Sequence, residues 1–579
     1  MANPHQSLLT KTHKQNPIIS FKILTFVITL FVSLFLVVFL VSPYHFEIKH
    51  SNLCKTAQDS QLCLSYVSDL MSNDIVTSNS DGLSILKKFL VKYVHQMNNA
   101  IPVVRKIKNQ INDIHQQGAL ADCLELLDLS IDLVSDSIAA IDKRSHSGRA
   151  NAQSWLSGVL TNHVTCLDEL DSFTKTMING TNLDELISRA KVALAMLASV
   201  TTHDEDVFRT VLGKMPSWVS LRDRKVMESL GKDIIANAVV AQDGTGDYQT
   251  LAEAVAAAPD KSKTRYVIYV KMGIYKENVE VTKKKMNLMI VGDGMNATII
   301  TGSLNFVDGS TTFRSATLAA VGQGFILQDL CIQNTAGPEK GQAVALRVGA
   351  DMSVINRCRI DAYQDTLYAH SQRQFYRDSY VTGTREVDYT KCAMLSIELG
   401  IKNLNLESVS AGTVDFIFGN AAVVFQKCQL VARKPNKRQK NMVTAQGRTD
   451  PNQATGTSIQ FCDIIASPDL EPVVNEYKTY LGRPWKKYSR TVVMQSYLGG
   501  HIDPSGWFEW RGDFALKTLY YGEYMNNGPG AGTSKRVKWP GYHVITDPNE
   551  AMPFTVAELI QGGSWLNSTS VAYVEGLVE

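Results

Sequence analysis

The stretch GFILQDLCIQN at residues 324–334 is a short apolar strand interrupted by an aspartate, and variants of it return down the chain. MSVINRCRID (352–361), QFYRDSYVTG (374–383), AVVFQKCQLV (422–431), TSIQFCDII (457–465) and RTVVMQSYL (490–498) repeat its texture. Aligned on their apolar cores, they begin near Phe325, Val354, Phe375, Val424, Ser458 and Val492. One strand type recurring at coil-sized steps describes a solenoid, specifically a parallel β-helix. Cys331, Cys358, Cys428 and Cys462 fall inside these strands, where a buried thiol behaves as a small apolar side chain. One step is out of period. Phe375 and Val424 are 49 residues apart, and leaving out Arg385 to Thr413, 29 residues, restores a step of 20. Gly-Thr occurs at both ends of that segment, at 383–384 and 412–413.

The β texture reaches back to about residue 232, through apolar runs at 266–270 and 288–291 punctuated by Gly and Asn/Asp turns. Upstream, from about 50 to 200, the apolar period becomes helical. Leu124, Leu127, Ile131, Val134, Ile138 and Ile141 recur at steps of three and four. Leu156, Leu160, Leu167 and Leu170 repeat the pattern, with His163 on the seam as a satisfied core residue, and Leu183, Leu186, Ala190, Leu194 and Leu197 form a third stripe. Such stripes with short connections are buried most simply in an antiparallel bundle. The expected fold is therefore an all-α antiparallel bundle at 50–200 followed by an all-β parallel β-helix at 232–579. The period fades at 201–231, where Arg222, Arg224 and Lys225 read equally as a processing site for a subtilisin-like protease or as a solvated charge run.

Residues 23–41 carry no charge and are long enough to cross a bilayer core of ~30 Å. Lys11, Lys14 and Lys22 precede them, which keeps residues 1–17 cytosolic and exports the rest of the chain. The 18–42 segment is thus a signal anchor or a signal peptide. Export makes disulfides the default reading of Cys54, Cys63, Cys123 and Cys166, with three connectivities open. Asn179, Asn296 and Asn567 stand in Asn-x-Ser/Thr sequons and are candidate glycosylation sites. A net charge of +2 on 579 residues gives no global field suited to nucleic acid. An apolar share of 44% excludes a disordered chain.

The sequence holds no G-x-S-x-G elbow, no H-E-x-x-H pair, no C-x-x-C and no Walker loop. What stands out is four polar islands in apolar strands, at 342–346 (QAVAL), 363–367 (YQDTL), 415–419 (DFIFG) and 481–485 (LGRPW). A carboxylate flanked by apolar residues is costly to bury unless paired, so four islands on neighbouring coils suggest a lined groove. Together with GIYKE at 273–277, these segments resemble the signature motifs of plant pectin methylesterases, across essentially all of 232–579. The bundle resembles the invertase and pectin methylesterase inhibitor family, over about 150 residues. The resemblance implies a right-handed β-helix and pairing of Cys54 with Cys63 and Cys123 with Cys166. It also implies a metal-free and cofactor-free esterase acting on methyl-esterified homogalacturonan in the cell wall. On that resemblance Asp415 is the nucleophile, Asp365 the general acid and then base, and Arg483 the partner that keeps Asp415 charged. Gln342 and Gln364 donate to the developing oxyanion, and Thr312, Gln342, Arg483 and Trp485 contact substrate. Two such carboxyl groups side by side should have pKa values pushed apart. The bundle would contact its own catalytic half as a pro-region.

Two features depart from the family pattern. The 385–413 segment is either a retained intron or a loop beside the groove, and a loop would put the position of Asp415 in doubt. Ser379 stands where many family members have cysteine. The alternatives are a catalytically impaired pectin-binding or inhibitor protein, if the insertion is real, and a lyase or glycosidase on the same scaffold.

Overall fold

A computed structural model describes residues 52–72, 81–178, 183–201, 235–382 and 414–578. The 18–42 segment, the basic cluster at Arg222, Arg224 and Lys225, the sequon at Asn179 and the 385–413 segment lie outside the described residues. Among the described residues, no helix is long and apolar enough to cross a membrane.

Among the described residues the N-terminal part is a bundle of six α-helices: α1 (Ser60–Ser72), α2 (Gly82–Lys108), α3 (Ile114–Asp142), α4 (His146–Asp168), α5 (Ser172–Ile178) and α6 (Leu183–Thr201). Asp81, Asp113 and Ser145 cap α2, α3 and α4, each side chain accepting from the backbone N–H three residues on. Disulfides join Cys54 to Cys63 and Cys123 to Cys166, the second tying α3 to α4. His163 is buried, with Nε2 2.7 Å from the hydroxyl of Tyr93 on α2, and burial lowers its pKa to about 3. It is the core residue expected, satisfied at Nε2 but not at Nδ1, which is buried with no partner among the described residues. The α3 seam is rotated from the expected stripe. Leu127, Val134 and Ile141 are buried, but Leu124, Ile131 and Ile138 are half-buried, and Ser130 and Ser137 take core positions. Their hydroxyls donate to the carbonyls of Leu126 and Leu133, so burial leaves no donor unpaired.

The C-terminal half is a right-handed parallel β-helix built on three sheets of eleven, seven and eight strands. Each complete coil gives one strand to each sheet. One coil contributes Leu367–Ala369, Arg373–Arg377 and Tyr380–Thr382, and the next described coil contributes Ile417–Gly419, Ala422–Gln426 and Gln429–Ala432. These coils pair in parallel register on both sides of the 385–413 segment, with Leu367 opposite Ile417 and Phe375 opposite Val424. The period restored by omitting that segment is therefore the real stacking period. At the corner between the second and third strands, Arg357, Asp378, Lys427, Phe461 and Gln495 all have φ between 45° and 56°. Each is followed by a small buried residue, namely Cys358, Ser379, Cys428, Cys462 and Ser496. These stack: Cys358 N–H donates to Ser379 Oγ at 3.1 Å, and Cys462 N–H to Ser496 Oγ at 3.1 Å. Ser379 serves this ladder as the cysteines do.

Inside the coils Tyr376 and Phe425 stack at 4.6 Å between ring centroids, both fully buried. Phe425→Ala removes that ring from a core that cannot collapse around it and should cost about 3–5 kcal/mol. A denaturant midpoint for the β-helix transition that does not move would show that the interior stack does not carry the fold.

Candidate active site

The island at 363–367 ends in the Leu367–Ala369 strand, and the island at 415–419 ends in the Ile417–Gly419 strand of the same sheet. Because Leu367 pairs with Ile417, Asp365 and Asp415 occupy equivalent positions one coil apart, two residues before their strands. Asp365 N–H donates to Val414 O at 3.3 Å. Both aspartates are in the left-handed region, with φ of 62° and 55°. Asp tolerates that region better than most residues, and here it turns both carboxyl groups out of the interior toward one groove.

Arg483, from the island at 481–485, grips Asp415 with its guanidinium fork. Nε donates to Oδ1 at 2.9 Å and Nη2 to Oδ2 at 2.6 Å. The guanidinium also lies 4.3 Å from the ring centroid of Trp510, which sequence reasoning missed. Among the described residues Asp365 has no such partner. Burial first, and then the charge of Asp415, hold its pKa well above the usual carboxylate range. Asp415 departs from expectation: burial raises its pKa too, with Arg483 acting in the opposite direction. The two carboxyl groups are separated in environment as expected, but neither is lowered, because both are buried. Gln342 and Gln364 form a parallel bridge on adjacent coils, with Gln364 immediately before Asp365. Asp365, Asp415, Arg483, Gln342 and Gln364 are thus brought together. Among the described residues no group of three or more His, Cys, Asp or Glu side chains could hold a metal ion.

The cover is α4. It buries Ser154, Ser157, Thr161 and Thr165 against the β-helix, spaced as one helical face. Thr165 Oγ1 lies 3.0 Å from His370 Nε2, and Asn420 donates to Thr161 Oγ1 at 2.9 Å. Gln453 donates to Ser157 O at 3.0 Å, and Trp155 Nε1 to Asp351 Oδ2 at 2.9 Å. A side chain at Gly158 would strike Gln372, with a Cβ 2.1 Å from its Nε2, so glycine permits the close approach. At the C-terminal end of α4, Lys486 pairs with Asp168 at 2.6 Å. The Glu169 carboxylate accepts from the backbone and hydroxyl of Thr312, a residue expected to contact substrate. Trp485 is half-buried beside Phe418, 6.0 Å away edge-on, and both pack against the bundle with Phe313 and Tyr368. Asn296 is exposed, whereas the Asn567 side chain is engaged at both ends, donating to Gly563 O at 3.2 Å and accepting from Tyr573 at 2.9 Å.

Sequence reasoning missed Glu169, Phe313, Tyr368, Phe418 and the docking face of α4. The legible signal was the run of Ser and Thr at helical spacing on one helix.

Two family models match the chain: pectinesterase at residues 237–396 and 402–563, and plant invertase/pectin methylesterase inhibitor at 49–196. The chain is 84% identical over 579 residues to "Pectinesterase 3" of Solanum lycopersicum, covering all of both chains. It is 54% identical over 534 residues to a "Pectinesterase/pectinesterase inhibitor" of Ficus pumila var. awkeotsang, covering 91% of this chain and 92% of that one. Among solved structures, the carrot pectin methylesterase superposes with a TM-score of 0.54 at 57% identity, covering 59% of this chain and 98% of that one.

Removing Arg483 leaves Asp415 as a buried carboxylate without a counter-charge. Arg483→Met should therefore lower stability by about 3–5 kcal/mol in denaturant melts. A loss below ~1 kcal/mol would mean that the pair contributes aim but no stability.

Proposed function

We propose how a chain that belongs to the pectinesterase family, and so hydrolyses the methyl esters of pectin, carries out that reaction with these residues. Asp415, paired with and aimed by the Arg483 fork, attacks the ester carbonyl of a galacturonate unit in its ionised form. Negative charge develops on the carbonyl oxygen, where amide donors of Gln342 and Gln364 stabilise it. Asp365, whose ionisation the charge of Asp415 beside it opposes, gives its proton to the departing methanol. It then takes a proton from the water that opens the acyl-aspartate, which restores Asp415 and leaves a free galacturonate. Thr312 and Trp485 position the sugar chain. The observation that carries this reading is the pair of equivalent aspartates one coil apart, only one of them gripped by an arginine. The reading requires no metal or organic cofactor. The apolar 18–42 segment and the two disulfides support export, and the cell wall is where the substrate lies.

Methanol release from methylated pectin should persist in EDTA, and Asp365→Asn should lower kcat by about 10²–10⁴-fold. Release abolished by the chelator would overturn the two-aspartate mechanism. No release at all from bundle-free protein would favour a pectin-binding protein instead.

The bundle acts as a removable inhibitor, because Glu169 and α4 sit where substrate must lie. This contact should depend on pH. In the docked state Glu169 is raised to about 7, by burial first and then by Asp122 and Asp168, with Thr312 opposing. Asp122 is raised to about 6 by burial, with Arg314, Thr311 and Arg347 opposing and Glu125 adding. Carboxyl groups whose pKa is raised on docking bind protons more tightly when docked. Docking is thus at full strength below the ordinary carboxylate pKa of ~4 and weakens as pH rises through 6 to 7. With a protease site engineered into 202–234 and cleaved, the two halves should co-elute at pH 5 and separate at pH 8. Equal co-elution at both pH values would remove the carboxyl groups from the account.

A further inference from the structure

Residues 573–578 form no helix or strand, and a row of side chains on the eleven-stranded sheet holds their backbone. Gln328, Asn356, Arg377, Gln426 and Gln460 stand in register at the ends of successive strands of that sheet, all of them buried. Arg377 Nη1 donates to Gln426 Oε1 at 3.4 Å, Gln426 Nε2 to Gln460 Oε1 at 2.7 Å, and Gln460 Nε2 to Gln495 Oε1 at 3.3 Å. The 573–578 segment is laid across the three glutamines. Gln426 accepts from Val574 N–H at 2.9 Å and donates to Val574 O at 2.8 Å. Gln460 Nε2 donates to Gly576 O at 2.9 Å, and Gln495 Nε2 donates to Val578 O. The segment thus advances two residues per coil. Tyr573 meets Phe375 edge-on at 6.3 Å, and Leu577 packs on the cluster of Met494 and Tyr524.

Those coils are the ones that close the Arg483 fork. Gln426 shares a coil with Asp415, and Gln495 shares one with Arg483, two coils further on. The strand that leads into Arg483, Thr479–Gly482, is the edge of the seven-stranded sheet, and Tyr497–Leu498, just after Gln495, is the edge of the eight-stranded sheet. Past these two strands only single-residue bridges continue among the described residues, from Thr479 to Ile502, Gly482 to Trp507 and Tyr497 to Asn527. A strand paired along one side only opens more readily than one paired on both. The arginine that must stay aimed at Asp415 therefore rides on a coil that is an edge in two of its three sheets. The 573–578 segment ties that coil back to the coil of Asp415 from the third sheet.

We propose that residues 573–578 are a positioning strap for the nucleophile: through Gln426, Gln460 and Gln495 they fix the spacing between the coil of Asp415 and the coil of Arg483, and with it the aim of the fork. This rests on the pectinesterase reading and deepens it. Without the strap, water can satisfy the three amides, so its loss removes the fixed spacing more than it removes hydrogen bonds. A reacting group displaced by ~1 Å costs about 100-fold in rate. Substrate binding is spared, because the strap touches none of the residues that line the groove.

The test uses the β-helix half, which the carrot structure shows as a folded unit without a bundle at 57% identity. The unmodified half is compared on methylated pectin with a half shortened to end at Ala572, with Val574→Pro, and with Gln328→Met. Shortening and Val574→Pro should lower kcat by about 10–100-fold and leave KM within about threefold. Both should also move the acid limb of kcat/KM to higher pH, because Arg483 lowers the pKa of Asp415 and a loosened fork lowers it less. Gln328→Met removes an amide from the same row outside the strap, and should change neither kcat nor the acid limb. An equal loss of kcat in Gln328→Met, a rise in KM with kcat kept, or an acid limb that stays in place overturns the strap. Should the shortened half not fold, Val574→Pro, which takes one donor from the strap and nothing from the coils, decides by the same readings. Absence of methanol release by the unmodified half is a different outcome and sinks the esterase reading. Hydrogen exchange of the Thr479–Gly482 strand then decides the strap alone: faster exchange in Val574→Pro supports it, and unchanged exchange overturns it.

Discussion

Strands stacked in parallel register hold successive coils about 4.8 Å apart, and that spacing controls the chemistry of this chain. Leu367 opposite Ile417 places Asp365 and Asp415 at one depth on one face. No loop has to bring them together. Backbone hydrogen bonds of the sheet do so, and the left-handed turns before each strand aim both side chains the same way. A single arginine two coils further on then breaks the equivalence. Asp415 receives a fork of two donors from it, and among the described residues Asp365 has no arginine of its own. In the proposed mechanism two chemically identical groups become a nucleophile and an acid because their surroundings differ.

The same rigid floor explains how the bundle closes the groove. A helix cannot imitate a polysaccharide in shape, but it can present the same chemistry at the same places. Thr161 and Thr165 offer hydroxyl groups, Gly158 lets the backbone approach, and Glu169, Asp122 and Glu125 bring carboxyl groups to Thr312 and Arg314 of the β-helix half. Ionised carboxyl groups are costly to bury, and the docked state raises their pKa values accordingly.

Much of this was legible in the residues. The β-helix was visible in its recurring strands, the bundle in its helical stripes, and Asp365, Asp415, Arg483, Gln342 and Gln364 in the polar islands. The rotated α3 seam was not, because Ser130 and Ser137 satisfy themselves on their own helix and so pass for surface residues. Arg347 was not, because a charge in a strand reads as solvent-facing until a neighbouring chain segment covers it. Nor was the rise in the pKa of Asp415, which comes from burial in the assembled chain and outweighs the opposing charge of Arg483.

Local chemistry by itself determined the period of the coils, the helical stripes and the residue types able to react, because each is written within a few tens of residues. Tertiary structure alone decided which of the two aspartates is gripped and which carboxyl groups of the bundle meet which arginines. It also decided that Thr312 is occupied by Glu169. Those are pairings between groups more than a hundred residues apart, or across stacked coils. Their energies come from burial and register, neither of which a linear pattern contains.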